Sequence, residues 1–389
     1  MNCTIIEQID SIKAKEWNKL AIGGNPFLRH EFLAALEHHQ CVGERFGWIP
    51  QHIVVTDHTG QLLGAMPLYL KDNSYGEFVF DWGWADAYHR AGLAYYPKLV
   101  TAIPYTPATG PRLLIAPHVP QETVANTLID RALDLAASLN VSSMHWLFTS
   151  KQDSRYLTHR GLLTRIGCQF HWHNQHYPDF DAFLGQLSSR KRKQIKRERR
   201  HVSDAQIVIK VLHGNEVSDA QLHQFHHHYQ STFYRLGGYA TLSEAFFKEI
   251  STTLPENVVF VFAYYNHQHV ASAFCVRGED TLYGRHWGCD ADFNSLHFEA
   301  CYYQGIEYCI AHGLSHFEPG AQGEHKISRG FVPTATYSQH WIENEQFRPI
   351  IADFLQREQQ GVRHYMESLR EHLPYRTDNE NPRIAEQEL

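Results

Sequence analysis

Residues 258–287 read VVFVFAYYNHQHVASAFCVRGEDTLYGRHW, and they decide the fold class. Three apolar runs, VVFVFAYY, HVASAFCV and TLYGRHW, are separated by two short polar segments, Asn266 to Gln268 and Arg277 to Asp280. Runs of that length, rich in β-branched and aromatic residues and joined by turn chemistry, predict a three-stranded antiparallel meander. On its C-terminal side a helix is predicted from Leu296 to His312, closed by Gly313, then a strand at SHFEP and a last one around TATYSQHWI. On its N-terminal side Leu222, Phe225, Tyr229 and Phe233 make one helical stripe that ends at Gly237-Gly238. A capping-box pattern from Thr241 to Glu244 predicts the start of a further helix carrying Phe246, Phe247 and Ile250.

The first half of the chain has the same order without obvious sequence repetition. A helix in FLRHEFLAALEHH precedes a strand (IPQHIVVTD), a turn at Asp57 to Gly60 and a second strand (LLGAMPLYL), which together read as a hairpin. After an aromatic stretch rich in Gly and Pro, Tyr75 to Arg112, helical spacing returns at Val124, Leu128, Leu135 and Leu139, and the strand SSMHWLF follows. Two copies of a meander, helix and strand unit predict an α/β (α+β) architecture with mixed, mostly antiparallel sheets. The modules are placed at 1–180 and 206–373, a connecting helix at 181–205, and a disordered polar tail at 374–389.

Between the copies, Leu187, Ile195 and Val202 share one helical face over Phe183 to Val202. The other faces are basic: Arg190, Lys193, Arg197 and Arg200 form one row, and Arg192, Lys196 and Arg199 another. Arg190 to Arg200 carries a net +7 in a chain whose formal charge is −7, so the remainder sums to −14. Such a row suits phosphates, those of tRNA in particular, or an acidic membrane surface, and a merely solvated face is the plain alternative. No apolar run is long enough for a transmembrane span and the N-terminus lacks a secretory pattern, so a cytoplasmic location is expected. Seven scattered cysteines with no C-x-x-C pair read as reduced and buried. His223, His226, His227 and His228 lie close together, but no Cys or paired carboxylate joins them at motif spacing, so no metal is expected. The chain has no Walker loop, serine nucleophile elbow or H-E-x-x-H motif.

The motifs GAMPLYLK, FDWGWADAY, YYPKL, PYTPATGPRLL, QFHWHN, LSSRKRKQIKRERR, TLYGRHWG, LHFEACYYQGIEYCI and EPGAQGEHKISRGFVP resemble the bacterial FemAB-like N-acyltransferases, over roughly Pro26 to Trp341. The resemblance implies a tandem pair of acetyltransferase-like (GNAT) folds with the site between them. It also implies a kinship with peptidoglycan bridge-forming enzymes that draw aminoacyl groups from charged tRNA. Lys326 followed by Gly330-Phe331 looks like the Lys plus Gly-Phe signature of those enzymes. One feature departs from ordinary acetyltransferases, whose Gly-rich loop opens a helix onto the coenzyme A pyrophosphate. The matching segments here are HVPQE before a helix at Thr123 and DADFNS before the helix at Leu296, both poor in glycine. The expected donors are acyl-CoA or aminoacyl-tRNA, with no tightly bound cofactor, and the acceptor is a small molecule, peptide or amino sugar. A non-catalytic glycan or peptide recognition module is the alternative from another functional class.

Acyl transfer to an amine needs a base for the ammonium proton and donors for the developing oxyanion. The loop EPGAQGEHKISR supplies these side-chain types: Glu324 or His325 to take the proton, Gln322 with backbone N–H groups for the oxyanion, and Lys326 with Arg329 for an anionic donor or acceptor. Glu318 at its start is a further substrate contact; a structural ion-pair network would explain the same charges. His297 and Glu299 open the next helix, where the helix dipole alone favours a carboxylate. Arg285 and His286 alternate along TLYGRHW, so that one faces a cleft and the other is solvated, and Arg285 suits an anionic ligand. In the first module Asp81, Trp82, Trp84 and Asp86 with Tyr95, Tyr96 and Lys98 read as an aromatic wall with a few charges for sugar or peptide contact, or as core packing.

Overall fold

The structure is a computed structural model that describes residues 1–21, 23–321 and 323–376. The chain divides into two compact units, residues 1–167 with 336–364, and residues 168–335 with those from 365 onward. The units are therefore not consecutive segments, and residues 181–205 lie inside the second. Among the described residues no helix is long and apolar enough to cross a membrane.

In the first unit the strands Asn2–Ile6, His52–Thr56, Leu62–Met66 and Leu114–Ile115 pair antiparallel in that order. The expected hairpin is there, but LLGAMPLYL is two strands. Pro67 has no N–H for the ladder, and beyond it Tyr69–Lys71 joins another group, between Ile49–Pro50 and Lys98–Thr101. Lys98–Thr101 runs parallel to Ser143–Trp146, which pairs antiparallel with residues 339–342. The helix Gln121–Ser138 buries Val124, Leu128, Ala132 and Leu135 against the core, one apolar face at helical spacing. The helix Trp82–Arg90 lies inside the stretch 75–112, where aromatic and glycine residues hide any period. Residues 347–364 of the last helix, Phe347–Arg370, also belong to this unit.

In the second unit the meander forms as expected and gains Val208–His213 on its outer edge. Its alternation sorts the core: Phe260 sits opposite Phe274, Phe260 packing with Phe225 and Phe274 with Phe247, while Val261 sits opposite Ala273 and packs with Ala300. The helices Asp219–Arg235 and Glu244–Thr253 thus cover one face, and the helix spanning 296–311 covers the other. His316–Glu318 runs parallel to Thr281–Tyr283 and pairs with Trp172 and His173.

Four local expectations are corrected. The helix Glu244–Thr253 is capped by Ser243, whose hydroxyl accepts from the Phe246 N–H, and not by Thr241. The segment 183–202 is two helices, Phe180–Gln186 and Ser189–Asp204, because Leu187 is extended and Ser188 is the N-cap of the second. Leu187, Ile195 and Val202 are nonetheless all buried, Leu187 and Ile195 in one core cluster and Val202 in another. The helix after Ser295 is not uniform: Leu296–Phe298 is α, Glu299–Tyr303 forms a π turn, and Gln304–Ala311 is α again. Pro374, Tyr375 and Arg376 of the expected disordered tail are held: the Tyr375 hydroxyl donates to the Gly330 carbonyl at 2.6 Å, and the Arg376 N–H to Gln186. The remainder of the tail, 377–389, lies outside the described residues.

Candidate active site

The strand His316–Glu318 delivers the chain to Pro319-Gly320, and a 3-10 helix, Glu324–Arg329, follows. Gly330 ends it at φ +92°, where a Cβ would also lie 2.9 Å from the Phe183 ring, so only glycine fits without displacement. Phe331 is then fully buried.

This short helix turns Lys326 inward. The residue is 2% exposed, its ammonium donates to the Gly320 carbonyl at 2.7 Å, and among the described residues it has no carboxylate partner. Burial pushes its pKa down to about 8. Among the described residues two of its three N–H donors have no partner, and they suit an entering anion or oxyanion. Next to it, the Tyr302 hydroxyl and His325 Nε2 lie 2.8 Å apart, and His297 packs edge-on against Tyr302. Burial, aided by neighbouring His325, Arg329 and Lys326, takes His297 to about 4, and burial with Arg329 and Lys326 lowers His325 below its ordinary value. Both imidazoles are neutral at pH 7, which makes His325, on the exposed side of the helix, able to accept a proton.

The other residues of the loop have different places. Glu324 is exposed and accepts from the Tyr365 hydroxyl at 2.6 Å. Gln322 lies outside the described residues. Arg329 is not available to a donor or acceptor: it donates to both Glu198 oxygens at 2.9 and 3.0 Å, to the Tyr303 hydroxyl and to the His325 carbonyl, and it stacks 3.5 Å over the Phe298 ring. Tyr303 donates to Glu198 in turn. Glu299 is likewise engaged, accepting from Arg199 at 3.0 and 3.1 Å and from Gln304 at 2.7 Å.

Within the π turn, Glu299 meets Arg199, Tyr303 meets Glu198, and Tyr302 meets His325. A π turn is the kind of helix irregularity that recurs at functional sites. Arg285 is the extra residue of a β-bulge, since Gly284 pairs with Cys275 and His286 with Phe274. Both side chains are half-buried, where the alternation implied one facing a cleft and one solvated. His286 packs on Tyr229 at 4.7 Å and on Phe274, while Arg285, taken to about 10 by burial, is held up by the nearby Glu318.

The basic helix Ser189–Asp204 separates into three faces. Arg190, Lys193, Arg197 and Arg200 are exposed in one row. Lys196 is paired with Asp181 at 2.9 Å, Arg192 is half-buried, and Arg199 turns inward to Glu299 and Glu307. Lys196, Arg199 and Arg200 also line an open groove of about 1030 Å³ with Ile207–Ile209 and Glu307. Glu198 was missed as a functional position, although its place between Ile195 and Val202 on the apolar face marks it as a buried acid. Tyr302 and Phe298 carry no such signal in the sequence.

In the first unit Lys98 and Asp81 of the expected wall face inward, while Asp86 is exposed. Lys98 is fully buried and donates to Ser74 and Glu77 at 2.8 Å and to Asp81. Burial pushes Glu77 up to about 7, whereas Lys98 and His145 hold Asp81 at about 2 in spite of its burial. Trp84 is buried against His340, Tyr96 is half-buried with its hydroxyl 2.8 Å from Ser74, and Asp86 pairs with Arg90. Trp82 is the exposed ring of the set. The four clustered histidines turn to different neighbours, with one shared: His223 to Glu244, His226 to the Leu242 carbonyl, and both His227 and His228 to Asp290, His228 also to Ser272.

No curated protein sequence matches the chain significantly. Solved structures do: FemX at 10% identity and TM-score 0.54, covering 90% of this chain and 100% of that one. L-PGS from Bacillus licheniformis aligns at 10% identity and TM-score 0.51, covering 89% and 97%. The C-terminal domain of a putative lysylphosphatidylglycerol synthetase from Agrobacterium fabrum aligns at 7% and 0.52, covering 89% and 95%. At such identities the likeness concerns fold, and the mixed α/β tandem acetyltransferase-like architecture expected from the motifs is the one these proteins share. The profile of the FemAB-like family, described as peptidoglycan biosynthesis/recognition, matches residues 8–377, and the chain belongs to that family.

Proposed function

We propose that the chain is an N-acyltransferase that moves an aminoacyl or acyl group onto an amine of a cell-wall precursor, peptide or amino sugar, with the chemistry at Lys326 and His325. The observation that carries this reading is the buried Lys326 ammonium with one carbonyl partner, beside a neutral imidazole. An amine nitrogen attacks the donor carbonyl carbon, and its proton passes to His325. The carbonyl oxygen gains negative charge, which the two remaining N–H groups of Lys326 meet in a site of low dielectric. Collapse expels the donor's oxygen or sulfur, which takes up a proton.

Of the two donors, aminoacyl-tRNA is favoured by the exposed row Arg190, Lys193, Arg197 and Arg200 in the same unit, and by a helix start at Leu296 that lacks the Gly-rich cradle. A structural neighbour's name, lysylphosphatidylglycerol synthetase, describes an aminoacylated product and fits the same class of transfer.

The test is equilibrium binding of charged tRNA and of acetyl-CoA at two salt concentrations, with turnover measured alongside. Lys326→Met is expected to lower turnover at least about a hundredfold while leaving donor affinity within a few-fold. Reversing Arg190, Lys193, Arg197 and Arg200 to Glu is expected to weaken tRNA binding and flatten its salt dependence. Thioester binding without tRNA binding would transfer the assignment to acyl-CoA. Ligand binding with no turnover by the native chain would make it a recognition module.

A further inference from the structure

The segment 74–82, SYGEFVFDW, inverts the ordinary partition of side chains. Its two acids, Glu77 and Asp81, are buried on Lys98, and Ser74 joins them. Its aromatic residues point out: Tyr75 is 73% exposed, Phe78 39%, Phe80 45% and Trp82 53%. The backbone is pinned from within. The Lys71 ammonium and the Trp48 indole N–H each donate to the Tyr75 carbonyl at 3.1 Å. Arg165 donates to the Phe80 carbonyl at 2.7 Å while held in a two-pronged pair by Glu358. Phe78 keeps φ +60°, a conformation unfavourable for an aromatic residue. On the helix that supplies Glu358, the exposed Ile350 and Phe354 lie eight and four residues earlier, along the same face.

We propose that this loop is a membrane-interface anchor that seats the first unit on a bilayer containing anionic phospholipid. The order of the rings fits that partner: amphipathic Tyr75 and Trp82 at the ends, where headgroups and acyl chains meet, and Phe78 and Phe80 between them for the apolar side. Charge fits as well, because both carboxylates of the loop are neutralised inside and none faces anionic headgroups. A sugar-binding platform would set polar side chains beside its rings to meet hydroxyls, whereas Ser74, Glu77 and Asp81 all turn the other way. The inference concerns the first unit and is independent of the transfer chemistry assigned to Lys326.

The test is co-sedimentation of the full chain with vesicles of three parts phosphatidylethanolamine to one part phosphatidylglycerol. The native chain is expected to bind, and Phe78→Ser/Phe80→Ser to lower the partition coefficient at least about tenfold with an unchanged thermal midpoint. Bromine-labelled acyl chains are expected to quench fluorescence in the native chain, and Trp82→Phe to remove most of that quenching. Reversal of Arg190 and Lys193 to Glu is expected to change the partition less than twofold. Absence of vesicle binding, vesicle binding insensitive to the Phe78/Phe80 change, or binding of soluble glycan fragments by these residues with none to vesicles would each overturn the proposal. Loss of turnover in Lys326→Met bears only on the transfer chemistry.

Discussion

Lys326→Met separates the chemical cost of the buried ammonium from its role. The folded chain holds Lys326 at about 8 against an ordinary 10.5, so keeping it charged at pH 7 costs about 3 kcal/mol relative to the unfolded chain. The sign follows from proton counts. Between the two values the unfolded chain binds the proton and the folded chain does not, so stability rises with pH from about 8 to 10.5 and is flat with respect to this group below that window. Methionine keeps most of the length and volume of the side chain and removes the charge. At pH 7 the variant should therefore match or exceed the native chain in stability, losing only the bond to Gly320 and gaining up to about 3 kcal/mol. Its excess should then vanish by pH 10.5. The assay is urea denaturation of both proteins at pH 7, 8.5 and 10, read as a difference so that other titrating groups cancel. A variant less stable than the native chain at pH 7, by a margin independent of pH, would refute the claim that Lys326 is a strained, unpaired cation kept for function.

Two further substitutions probe the frame around it. Arg329→Met leaves Glu198 buried without its guanidinium and should cost about 3–5 kcal/mol, whereas adding Glu198→Met should restore most of that loss; additive costs in the double-variant cycle would refute a coupled buried pair. Gly330→Ala forces a side chain into φ +92° and onto Phe183, and should cost more than about 1 kcal/mol by denaturant midpoint, with turnover falling as the loop shifts; an unchanged midpoint would mean that the loop tolerates another conformation.

The sequence by itself determined the elements whose signals are local. Apolar runs separated by polar turns placed the meander at 258–287, helical stripes placed Leu222, Phe225 and Tyr229 inward, and the motif EPGAQGEHKISR drew attention to His325 and Lys326 in one loop. Local signals also exposed the basic row, because charge is visible residue by residue.

Tertiary structure decided what depends on partners far away in the chain. Arg329 and Arg199 read as ligands for an anion until Glu198, Glu299 and Glu307, 100 to 131 positions away in the chain, took up their donors. The aromatic wall read as a binding surface with charges, but Lys98 drew Asp81 inside together with Glu77, Trp84 and Tyr95 are buried, and of the wall's rings Trp82 stays exposed. A carboxylate and a guanidinium carry the same letter whether solvated, paired or aimed at a substrate; desolvation makes the difference, and it is set by whatever chain packs against them. For the same reason the assignment of residues 336–364 to the first unit was invisible in sequence: a strand's pairing partner is fixed by register in space, not by proximity along the chain.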